Sequence, residues 1–80
     1  MMDTQLRNAR RAVAVTPNDS TDLAKIAHKG LYIGGTGNVS VITLDGQTVT
    51  FTAVPIGFLP VAVKRVNSTG TTATNIVALS

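Results

Sequence analysis

GLYIGGTGNVSVITLDGQTVTFTAVPIGFLPVAVKRV, residues 30–66, is the stretch whose reading decides the fold. Asn38 to Leu44 is rich in β-branched residues and runs into Asp45-Gly46-Gln47. Thr48 to Val54 follows as Thr-Val-Thr-Phe-Thr-Ala-Val. Strict alternation predicts a strand with Val49, Phe51 and Ala53 on the core face and Thr48, Thr50 and Thr52 on the other. Asp-Gly between two such runs predicts a tight hairpin, because both residues tolerate a positive φ. Upstream, Leu31 to Ile33 reads as a strand, with Gly34-Gly35-Thr36-Gly37 as a flexible turn after it. Downstream, Pro55 to Pro60 reads as a loop stiffened by its prolines that lifts Phe58 and Leu59 out of the alternation. Val61 to Val66 and Ile76 to Leu79 are further strands, separated by a turn at Asn67-Ser68-Thr69-Gly70.

The N-terminal third is less regular. Met1 to Ala12 contains good helix formers without an apolar face, so it reads as an arm that only a partner would order. Val13-Ala14-Val15 is a short extended piece stopped by Thr16-Pro17. Asn18 to Asp22 carries turn chemistry, and Asp19 or Ser20 is placed to cap one helical turn at Leu23 to Ile26. The expected fold is all-β: a small antiparallel sandwich or partial barrel of five to six short strands over residues 13–80, with a basic arm over 1–12.

Composition narrows the function by exclusion. Eighty residues make one domain, and a core that small usually needs a staple. With no cysteine and one histidine, neither disulfides nor a structural metal supplies it. Only 14% of the residues are charged, against about 25% in an ordinary soluble domain. Self-association or cover by another protein is therefore expected. No run of about 18 apolar residues is present, which argues against a membrane span. The apolar piece Ala12 to Val15 is too short for a signal-peptide core, so the chain is expected to be made, and to stay, in a cytoplasm-like compartment until assembly.

Candidate chemistry is thin. Gly34 to Gly37 lacks the following helix and the Gly-Lys-Ser/Thr of phosphate-binding loops, so it reads as structural. His28 has no serine or cysteine partner nearby in sequence. Asp19 and Asp22 fall short of a calcium loop, and Asp45 stands alone in its hairpin. No catalytic residue, cofactor or small-molecule substrate is predicted, and the chain is not expected to be an enzyme. Nucleic-acid binding by a small β-barrel is the alternative of another class. It is poorly served by three aromatics and by Lys64 and Arg65, which face opposite sides of one strand. The net charge of +3 is concentrated in Arg7, Arg10 and Arg11, a basic arm suited to docking on an acidic surface. The threonines at 48, 50 and 52 and at 71, 72 and 74 suit a strand surface, and also a neutral hydrogen-bonding face for stacking subunits.

The ordered set Ala14-Val15-Thr16-Pro17, Asp19-Ser20-Thr21-Asp22-Leu23, Leu31-Tyr32-Ile33-Gly34-Gly35-Thr36-Gly37, Val49-Thr50-Phe51, Val54-Pro55, Gly57, Leu59-Pro60-Val61, Arg65-Val66, Thr69 to Thr74 and Ile76 to Leu79 resembles the small head-spike base proteins of tailed bacteriophages and gene transfer agents. The resemblance spans about Val13 to Leu79. It implies a virion protein on the outer capsid surface, in a homo-oligomeric ring (a pentamer at five-fold vertices in preference to a trimer) that holds a spike or fibre. A trimeric decoration or cement protein is the alternative within that class. The implied partners are copies of the chain, the major capsid protein and a spike or fibre protein. Phe58, Leu59 and Arg65 are expected at inter-subunit contacts, and Arg7, Arg10 and Arg11 at the capsid.

Overall fold

A computed structural model describes residues 9–80 and contains seven strands. They are β1 (Ala12–Ala14), β2 (Gly30–Gly35), β3 (Gly37–Thr43), β4 (Thr48–Val54), β5 (Gly57–Leu59), β6 (Val63–Val66) and β7 (Thr74–Leu79). All pairings are antiparallel, and the strands form two sheets, ordered β1-β7-β2-β5 and β4-β3-β6. One apolar core lies between them. Leu31, Ile33, Ile76 and Ala78 enter it from the four-stranded sheet, and Val39, Val41, Val54, Val63 and Val66 from the other. A fully buried aliphatic side chain of this size stabilises the fold by about 1.5–3 kcal/mol.

The strand β4 has the bounds its alternation predicts, yet its burial does not alternate. Val49 is 36% exposed, Ala53 is exposed, Phe51 is half-buried and Val54 is buried. Two causes combine. β4 is an edge strand with only β3 beside it, and the β3–β4 register shifts between Gly37 and Val39. At that bulge Ala53 adopts φ +55, which turns Val54 rather than Ala53 inward. The predicted hairpin before it forms, but Asp45 does not take a positive φ. Thr43 accepts from the N–H of Gly46 at 2.8 Å, Gln47 accepts from the N–H of Thr43 at 2.8 Å, and only Gly46 has positive φ, at +96. This is a three-residue loop closing on a left-handed glycine.

Gly34-Gly35-Thr36-Gly37 is strand rather than flexible turn. Gly34 and Gly35 end β2, Gly37 begins β3, and Thr36 alone carries the chain from one sheet to the other. The reason is proximity: a Cβ on Gly34 would lie 2.8 Å from both the Cβ and the carbonyl oxygen of Asn75 on β7. The expected loop at residues 55–60 contains β5, whose three residues pair with Leu31, Tyr32 and Ile33 of β2. No helical turn forms at Leu23 to Ile26. Asn18 Oδ1 accepts from the N–H groups of Ser20 and Thr21 at 2.8 and 3.1 Å, a local turn that leaves the next residues extended. They run along the outer edge of β6, where Leu23 N–H donates to Lys64 O at 2.8 Å and Ala27 pairs with Val63. Backbone bonds to β6 thus replace those a helix would have made.

The threonine run closes the opposite gap. β6 is too short to accompany β3 along its whole length, and beyond Val41 residues 67–73 take over with both backbone and side-chain bonds. Thr71 Oγ1 accepts from Ser40 N–H at 2.9 Å, and Thr72 Oγ1 accepts from Asn38 N–H at 2.8 Å. Asn38 in turn accepts at its carbonyl from the N–H groups of Thr72 and Ala73, at 2.8 and 3.0 Å. Its side-chain Oδ1 accepts from Ala53 N–H at 2.9 Å, so the same residue anchors the β4 bulge.

Candidate assembly surface

Two apolar features are open to solvent, and they belong to opposite edges of the four-stranded sheet. On its outer face, the registers place Ala14, Val77, Tyr32 and Phe58 in one row across all four strands. Tyr32 is 43% exposed and Phe58 58%, and Ile56 just before β5 is 59% exposed. Phe58 is set in place by Gly30, whose φ is +109. A Cβ there would strike the Leu59 carbonyl and lie 3.0 Å from the Phe58 ring. Isolated exposed aliphatics are ordinary, whereas Tyr32 and Phe58 are exposed side by side on one strand pair.

The second feature lies under β1. The four-stranded sheet has one strand more than the sheet it packs on, and the inward side of β1 is left partly uncovered: Val13, paired with buried Ala78, is 45% exposed. A groove of about 370 Å³ opens there, with Val13, Val15, Leu23, Ala24 and Val66 among its walls and Asn18 and Asp22 among its polar residues. Ser80, which lines it, is held by short backbone bonds to Arg10 and Arg11. Arg10 and Arg11 N–H donate to Ser80 O at 2.6 and 2.7 Å, and Ser80 N–H donates to Arg11 O at 2.9 Å.

The residues singled out by sequence fall in different places. Phe58 points outward, whereas its neighbour Leu59 is half-buried and packs against the core, as alternation along β5 requires. Arg65 turns toward its own chain. Its Nε donates to Asp22 Oδ1 at 2.8 Å and its Nη1 to the Asp19 carbonyl at 3.1 Å, and its side chain is 24% exposed. Arg10 and Arg11 are exposed, and Arg7 lies outside the described residues. His28 is exposed. Asp19 and Asp22 come together around Arg65, but among the described residues no group of three or more metal-ligating side chains forms.

Asp19 is the most heavily used carboxylate. Its oxygens accept from the Thr69 hydroxyl at 2.6 Å and the Thr69 N–H at 2.8 Å. These bonds, with a smaller contribution from the Arg65 charge, hold its carboxyl below the usual range. The cluster ties the segment over β6 to the 67–70 turn. The exposed Asp22–Arg65 pair contributes about 0–1 kcal/mol, so its role is chiefly geometric. Sequence reasoning missed Asn38 and the groove. Asn38 sits just after Gly37 at the start of a predicted strand, where a side chain that accepts a bond is the only available signal. The groove is a property of strand order, which no local pattern carries.

Comparison with solved structures places this architecture. A chain of the solved "Capsid of native GTA particle computed with C5 symmetry", GTA being a gene transfer agent, superposes with a TM-score of 0.79. It is 39% identical over 90% of this chain and 83% of its own. The chain belongs to the family of that capsid-particle protein. No protein-family model matches the sequence, and no curated protein does. The kinship agrees with the coarse expectation of a capsid-associated structural protein.

Proposed function

We propose that this chain is a structural protein of the outer surface of a phage-like capsid, where its copies form a ring at the five-fold vertices and hold a spike or fibre protein. The observation that carries this reading is the kinship, over nine-tenths of the chain, with a protein of a capsid calculated with five-fold symmetry. The structure supplies support of its own kind. A charge-poor sandwich leaves Ile56, Tyr32 and Phe58 exposed together, which suits a subunit completed by neighbours. No catalytic step enters the proposal: the titratable groups that come together, Asp19, Asp22 and Arg65, bond one another and the backbone.

The test is solution mass by light scattering, together with co-sedimentation on purified capsid shells. The expected species is five copies of the 8.3 kDa chain, pelleting with shells. A trimer that pellets would shift the reading to a decoration protein, and a species that ignores shells would end it. Phe58→Ala is expected to weaken the oligomer at least tenfold while leaving the monomer's melting unchanged. An oligomer of unaltered stability would remove Phe58 from the interface. Replacing Arg7, Arg10 and Arg11 together by alanine, which keeps the backbone bonds to Ser80, probes their proposed docking on capsid protein: shell binding should fall, and undiminished binding would refute that role.

A further inference from the structure

A closed ring of more than two copies makes a demand that a two-fold dimer does not. Each contact must join two different patches of the same chain, one from each neighbour, and the two patches must not overlap. The exposed features of this protein meet that demand. One is a projection, Ile56 and Phe58 at the β5 edge. The other is a concavity, the groove walled by Val13, Val15, Leu23, Ala24 and Val66 at the β1 edge. The order β1-β7-β2-β5 puts them at opposite edges of one sheet, with two strands between.

We infer that the subunits join head to tail, with Ile56 and Phe58 of one copy seated in the β1 groove of the next. Size agrees. A dry cavity of about 150 Å³ takes a benzene molecule, so a groove of about 370 Å³ has room for the Phe58 phenyl group and the Ile56 side chain together. A lasting interface covers roughly 800 Å² of each partner, and two such faces would occupy roughly a third of this chain's 4961 Å². Chemistry supplies the direction. The projection is aliphatic and aromatic, and the groove is mostly apolar, with valine, leucine and alanine walls and Thr16, Asn18, Thr21, Asp22, Lys25 and Ser80 also lining it. Asp22 at the rim already bonds Arg65, so its charge is not left facing an apolar insert. The inference rests on the proposed ring and adds which surfaces build it.

The absence of cysteine makes a direct test available. Ile56→Cys and Ala24→Cys both change exposed side chains, so neither substitution threatens the core. Under mild oxidation each single variant should stay uncrosslinked, because the same residue never meets its own copy. A mixture of the two single variants should yield covalent heterodimers. The double variant should yield a ladder that stops at the ring size found by light scattering. An intact oligomer without the mixed crosslink, as would follow if a capsid or spike segment filled the groove, would overturn this inference while leaving the ring standing. Crosslinks within either single variant would show a two-fold contact and overturn it too. A monomer by light scattering would overturn the ring itself.

Discussion

Ala53 offers a substitution for which pattern and structure predict opposite signs. As a member of an alternating strand, Ala53 should tolerate valine well and be weakened by glycine. Its φ of +55 reverses both expectations. Holding a Cβ in the left-handed region costs about 1–2 kcal/mol, and glycine gives back roughly 0.5–1 kcal/mol of that through its greater freedom in the unfolded chain. The side chain is exposed and the N–H bond to Asn38 Oδ1 survives the change, so no packing term intervenes. Ala53→Gly should therefore stabilise by about 0.5–1 kcal/mol, or roughly 2–8 °C in melting temperature for a domain of this size. Ala53→Val should destabilise, since a β-branched residue is worse in that region than alanine. Thermal unfolding followed by circular dichroism, at one fixed protein concentration so that assembly contributes equally, reads both. Glycine destabilising and valine stabilising would refute the left-handed bulge and restore a plain strand.

Three further outcomes follow from the same geometry. Gly34→Ala sets a Cβ 2.8 Å from the Asn75 backbone and should cost about 1–3 kcal/mol in a denaturant titration, where ordinary strand behaviour would give a small gain. Thr71→Val removes the acceptor for the N–H of buried Ser40; a loss of about 1–3 kcal/mol is expected, and a neutral result would reassign the threonine run to the surface. The Asp19 carboxyl lies below its unfolded value, so the stability it contributes is complete above about pH 4 and fades as the pH falls through the folded value. Asp19→Asn should narrow the gap between neutral and acid melting temperatures, and an unchanged gap would show that the Thr69 bonds do not favour the ionised form.

How much of this was legible in the sequence depended on how local each feature is. Thr48 to Val54 announced itself because alternation is a two-residue property, and its strand bounds agree with the pattern. The direction of its side chains did not follow, because a bulge seven positions before Pro60 is set by the register against Gly37 rather than by any neighbour in sequence. β5 was hidden among Pro55, Gly57 and Pro60, each of which argues against a strand, and it forms because β2 offers it an edge. The glycines at 34 and 35 were read for freedom when their use is thinness. Phe58, Leu59 and Arg65 were grouped by sequence, yet the fold gives them different surroundings, with Phe58 exposed. Leu59 packs against the core and Arg65 bonds Asp22 through a contact 43 residues apart in sequence, which no local pattern carries.

The pairing of β1 with β7 has a consequence for when assembly can begin. The strand that carries Val13 pairs with β7, roughly sixty residues later, so on the ribosome it waits until Thr74 to Leu79 has emerged. At roughly 5–20 residues per second that delay lasts several seconds, during which the Phe58 side of the molecule can already be shaped by β2 and β5 but the Val13 side cannot. The β1 face is thus incomplete until β7 has been made. For the proposed ring, strand order would delay the β1 contact until Thr74 to Leu79 has been made.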